Sequence, residues 1–151
     1  MGTPVESAHL ILKLYELRRE ELLRKARAWF GSEFNPATYE EFSALVAGGQ
    51  NVHFRMVLGY WDMAASLVTA GAIDRAMFQA TGGELIFSFA KIEPFIAQYR
   101  VERGDPHYLA NMEKVARAFP GADERMARIR QRYQAAALAQ STRGRARKKR
   151  R

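Results

Sequence analysis

The chain has 151 residues, 48% of them hydrophobic and 26% charged, with no cysteine and a formal net charge of +8 at pH 7. That length and apolar fraction fit one domain with a real core, and the missing cysteine excludes disulfides, thiolate zinc sites and a cysteine nucleophile. The glycine loops that cradle phosphates, the H-E-x-x-H metalloprotease motif and the G-x-S-x-G nucleophile elbow do not occur in the sequence.

The charge is unevenly placed. Seven of the 24 Lys and Arg residues (Arg143, Arg145, Arg147, Lys148, Lys149, Arg150 and Arg151) fall in Ser141 to Arg151, a stretch without an acid. Met1 to Ala122 carries 13 basic and 14 acidic residues, so the body is electrostatically ordinary. Glu6 and His9 interrupt the N-terminal apolar stretch, and position six is Glu where a myristoylation signal has a hydroxyl residue. The longest apolar run, Met56 to Ile73, contains Asp62, and a central Asp costs roughly 3 kcal/mol on insertion scales. These features predict a cytoplasmic protein without a membrane-inserted segment.

The elements read as helices from end to end, at 4–30, 37–47, 52–70, 75–80, 83–103, 106–119 and 123–140. Starts are marked by the T-x-x-E capping boxes Thr3/Glu6, Thr38/Glu41 and Thr81/Glu84, in which threonine and glutamate each take up an orphan N–H. Asp105-Pro106 repeats the cap-then-proline arrangement. Gly31, Gly48-Gly49, Gly71, Gly104 and Pro120-Gly121 are the stops. No segment alternates with period two, and Ala, Leu, Glu and Arg dominate, as helices favour. The expectation is an all-α fold, a compact bundle of about seven helices around helix 52–70, which is apolar nearly all round. Residues 1–140 form the domain; 141–151 lack apolar residues beyond one alanine and read as a disordered tail.

Helix 4–30 would be about 40 Å long, as long as the domain is wide. Its stripe of Leu22, Leu23, Trp29 and Phe30 then needs cover, either from the last helix, through Met126, Ile129 and Tyr133, or from a second copy of the chain. Those seven residues are the candidate homodimer interface.

Candidate chemistry is sparse. Glu6-x-x-His9 has the spacing of a di-iron ligand pair, but neither His53 nor His107 has a Glu three residues before it. No metal site and no cofactor is expected. Asp62 is the only charge between Arg55 and Asp74. Buried, it needs a partner, with Lys91, Arg100 and Tyr99 the candidates; exposed in a groove, it would be a ligand-binding carboxylate. Pro94 removes an N–H and crowds the carbonyl of Ala90, which bends helix 83–103.

The stretch Phe54-Arg55-Met56-Val57-Leu58-Gly59-Tyr60-Trp61-Asp62-Met63-Ala64-Ala65-Ser66-Leu67-Val68, followed by Gly71-Ala72-Ile73-Asp74 and Phe78, resembles small all-helical bacterial proteins of unknown function. The likeness spans roughly residues 29–100. It implies an all-α domain in a bacterial cytoplasmic setting and carries over no activity and no functional residues. The leading functional expectation is a non-enzymatic protein-interaction or regulatory module that forms a homodimer. One alternative is a nucleic-acid-associated protein tethered non-specifically by the basic tail. The other is a small-ligand binder or enzyme with a pocket near Asp62.

Overall fold

The computed structural model describes residues 1–150, which form eight helices and no strand. In chain order these are α1 (Pro4–Leu17), α2 (Glu21–Ser32), α3 (Tyr39–Ala47), α4 (Asn51–Thr69), α5 (Arg75–Thr81), α6 (Gly83–Arg103), α7 (Ala110–Arg117) and α8 (Ala122–Lys149). Helix α4 is central, packed between α2 and α7, with α3 at its start. Helix α6 packs on α7 and α8, and α1 on α5. None of the helices is long and apolar enough to cross a membrane, among the described residues.

The core follows the apolar pattern of α4, whose Phe54 and Trp61 are 1% and 2% exposed. Phe30 stacks on Phe34 and Phe42 on Phe95, with ring centroids 4.8 and 5.0 Å apart. Phe54 bridges these pairs, 5.5 Å from Phe34 and 6.0 Å from Phe42. Burying aromatics of this size is the largest single source of stability in a domain of this length. The N-terminus closes the other end. Gly2 N–H donates to Gly71 O at 2.8 Å, and a Cβ at Gly2 would stand 2.4 Å from Ala72 O, so only glycine fits. Gly71 itself turns with φ +79°.

Three expectations are corrected. The single helix over 4–30 is two. The chain breaks after Leu17, and the Glu20 carboxylate accepts the N–H groups of Leu22 and Leu23 as the cap of α2. On either side of the break, Ile11 and Leu14 of α1 and Leu23, Ala26, Trp29 and Phe30 of α2 are all buried in one core. The hydroxyl of Tyr60 donates to the Leu14 carbonyl, which also accepts the Arg18 N–H at 3.2 Å, and so ties the end of α1 to α4.

The helix expected at 83–103 is present as α6, but the Thr81/Glu84 capping box does not form. The Thr81 hydroxyl donates back into α5, and α6 begins at Gly83 with no side-chain cap. Glu84 pairs instead with Arg18 and Arg27. Likewise Asp105 accepts His107 N–H in a short turn, and α7 starts only at Ala110, behind Leu109 at φ +57°.

The third correction is the tail. Residues 141–149 continue α8 without interruption rather than forming a disordered segment. Once Ala122–Ala137 is seated, each added residue propagates the helix without a new nucleation cost. Ala and Arg favour it, and Arg147, Lys148 and Lys149 lie at the negative end of the helix dipole. Arg151 lies outside the described residues.

Candidate functional site

Asp62 is the first residue to place. Its Oδ1 accepts the N–H of Met112 at 2.9 Å, so a carboxylate from α4 caps α7, a helix with no cap of its own. None of the expected partners meets it. Arg100 pairs with Glu113 and donates to the Tyr108 carbonyl, Tyr99 receives Arg103, and Lys91 points elsewhere. Asp62 also lines an open cleft with Arg55, Arg103, Asp105 and His107, in which cations and carboxylates offset one another.

Lys91 is the residue that sequence reasoning underrated. It is 4% exposed, yet it forms no salt bridge among the described residues. Its Nζ donates to Phe30 O at 2.5 Å, Gly31 O at 3.2 Å and Asn35 Oδ1 at 3.1 Å. The first two are carbonyls at the C-terminal end of α2, where a cation is electrostatically favoured. The same Nζ lies 3.5 Å from the centroid of the Tyr133 ring on α8, a cation–π contact strengthened by its dry setting. Burial pushes the Lys91 pKa down to about 7. One ammonium group therefore ties α2, the loop after it, α6 and α8 together.

Pro94 sits one turn further along α6. The Ala90 carbonyl it deprives of an N–H is met by Arg130 of α8 at 3.3 Å. Arg130 also pairs with Glu93 at 3.3 Å, and Glu93 reaches Arg117 at 3.5 Å. Burial works against the Glu113 carboxylate, but Arg100 and Arg117 outweigh it and hold its pKa below the usual range. Asn35, Lys91, Pro94, Phe95, Arg130 and Tyr133 line a cavity of about 160 Å³.

The candidate interface is largely internal. Leu23, Trp29, Phe30 and Met126 are buried within the chain, Ile129 packs at the edge of the same core, and Tyr133 covers Lys91. Only Leu22, 57% exposed, faces outward. The stripe of α2 is thus covered within the chain, by α4, and the length argument for a second copy falls with the break at Arg18–Glu20.

Helix α8 changes character along its length. Through Ala137 it has residues turned onto the core; from Leu138 to Arg150 every residue is exposed. At 1.5 Å per residue, that free-standing part extends about 20 Å. It bears Arg143, Arg145, Arg147, Lys148, Lys149 and Arg150, with no acid after Glu124.

A family model described as a domain of unknown function, DUF4760, matches residues 3–119. The chain belongs to that family. The DUF4760 match takes in α1 to α7, and with them Asp62 and Lys91, and it ends before α8. Arg130 and Tyr133, which complete the Lys91 cavity, therefore come from outside the matched residues. No curated protein and no solved structure matches the chain.

Proposed function

We propose that this protein is a non-enzymatic binding module that holds nucleic acid through the free-standing end of α8. The observation that carries the reading is the continuation of α8 beyond the core as an exposed, acid-free basic helix. With successive residues about 100° apart, Arg143, Arg145, Arg147, Lys148 and Lys149 are distributed on all sides of the axis. A helix that lies on a membrane needs one apolar face, and Leu138 is the only large apolar residue in this part. Phosphates on both walls of a groove suit charge placed all round. A helix with its side chains is about 10–12 Å across, which the major groove of B-form DNA accommodates. No aromatic residue follows Tyr133, so base stacking does not contribute and binding is sequence-blind.

Cutting the chain after Gln140 tests this. A fluorescent 20-base-pair duplex, followed by anisotropy at low salt, should bind the full chain and lose at least about tenfold in affinity for the truncated one, since most of the contacting cations are removed. Equal binding by both would overturn the reading. Equal binding of the full chain to anionic vesicles and to duplex would replace nucleic acid by a membrane surface.

A further inference from the structure

Asn35 and Tyr133, which line the cavity beside Lys91, also line a second and larger one of about 280 Å³, between the end of α2, Phe87 of α6 and α8. Its wall is aromatic: the rings of Phe87 and Tyr133 lie 4.9 Å apart, and both residues are half-buried. No carboxylate lines it. Two of its polar side chains are already engaged, Ser32 with the Ala28 carbonyl and Asn35 with Lys91 and the Ser32 carbonyl. The guanidinium of Arg132 and the amide of Gln140 are exposed and have no partner among the described residues.

The face of α8 that lines this pocket continues past it. Ile129, Arg132, Ala136 and Gln140 line the pocket. At about 100° per residue, these four and Arg143 and Arg147 beyond them fall within about 80° of arc. Arg132 and Arg143 are separated by about 16 Å along the axis. One helix face therefore runs from an aromatic pocket with an unpaired cation to the exposed cations of the free end.

We propose that this pocket takes one unpaired nucleobase, from the overhanging end of a duplex whose phosphates lie on the free end of α8. The inference rests on nucleic-acid binding by that end, which meets charge alone; an unstacked base needs an aromatic surface and a polar group at its edge. The base lies against Phe87, the Gln140 amide, which both donates and accepts, meets its edge, and Arg132 meets its phosphate. A cavity of about 150 Å³ admits benzene, so the pocket has room for a base of either size. A strand carries flat bases and anions at a regular spacing, and this face offers the complement of both. Even at about 3.4 Å per stacked nucleotide, an overhang of about five nucleotides covers the distance from Arg143 to Arg132.

The test is anisotropy of the labelled duplex with the full chain, in blunt form and with an overhang of that length on either the 3′ or the 5′ end. The same overhangs made abasic keep every phosphate and remove the bases. The intact overhang of one polarity should bind about tenfold tighter than its abasic counterpart. Phe87→Leu and Ala136→Trp should each bring the two to within about twofold. Ala136→Trp fills the pocket from an exposed position of α8 and removes neither a charge nor a core residue, so it decides the matter should Phe87→Leu fail to fold. Equal binding of intact and abasic overhangs would overturn the pocket while leaving α8 as the binding element. A tenfold preference that survives Ala136→Trp would place the base elsewhere and overturn it as well. No binding of any of these duplexes, the blunt one included, would overturn the nucleic-acid reading and this inference with it.

Discussion

The DUF4760 domain and α8 obey different rules. The domain, α1 to α7, is nearly neutral: Met1 to Ala122 has 13 basic and 14 acidic residues, and one core of aromatic and aliphatic side chains holds it together. Its isolated charges are committed to backbone groups or to each other: Asp62 on Met112, Lys91 on α2, Glu84 on Arg18 and Arg27. The charges of helix α8 after Glu124 are all cationic, and its last thirteen described residues are all exposed. Buried charge must be neutralised by the fold, whereas exposed charge of one sign is left for something outside it. The seam between the two, at Lys91, Arg130 and Tyr133, is where α8 joins the packing.

The largest losses of stability should come from substitutions within the domain. Trp61→Ala should cost about 3–5 kcal/mol through lost transfer and a cavity, read as a shift in chemical denaturation, and a loss below about 1 kcal/mol would mean that stability resides elsewhere. Glu84→Gln leaves the guanidinium groups of Arg18 and Arg27 facing each other at side-chain exposures of 14% and 25%. It should cost about 2–3 kcal/mol, less than a fully buried pair. Adding Arg27→Met to Glu84→Gln should recover part of that loss.

Lys91 sharpens the contrast through pH. Burial holds it at about 7 in the folded chain, against about 10.4 when exposed. Between these values the unfolded chain binds the extra proton, so stability rises with pH above about 7, by at most ~1.4 kcal/mol per unit. Burial holds Tyr39, Tyr60 and Tyr108 at about 12, and in the unfolded chain they ionise near 10. The slope should therefore reverse above about pH 10. Urea midpoints between pH 6 and 11 check this, and Lys91→Met should flatten the rise while leaving the alkaline fall.

Asp62→Ala should be milder. It removes one cap rather than a buried ion pair, and about 1 kcal/mol is expected. A loss of 3 kcal/mol or more would restore a buried partner that the structure does not place there. Truncation after Gln140 should be the mildest, within about 0.5 kcal/mol.

Much of this architecture was legible in the sequence because it is written locally. Thr3/Glu6 forms the capping box its spacing predicts, Gly104 ends α6 in the left-handed region, and the apolar surface of α4 places it at the centre. What was not legible depends on partners far along the chain. Arg18-Arg19-Glu20-Glu21 are all good helix formers, and the break among them is fixed by Arg18 reaching Glu84, 66 residues away. Lys91 reads as an ordinary lysine on an amphipathic helix, because its acceptors lie about sixty positions earlier. The tail misled in the opposite sense. A lack of apolar residues argues against burial but not against helix, and α8 propagates from a seated first half.

Nucleic-acid affinity is assigned to the exposed end of α8, and its salt dependence locates it most directly. Anisotropy of the labelled duplex across 50–300 mM salt should give a log–log slope of about −5 for the full chain, from some six cations of Arg143–Arg151 on phosphates at roughly 0.9 ions each. The chain cut after Gln140 should show a slope near zero and little binding. A full-chain slope shallower than about −1, or the same steep slope in both chains, would contradict the assignment of α8 as the binding element.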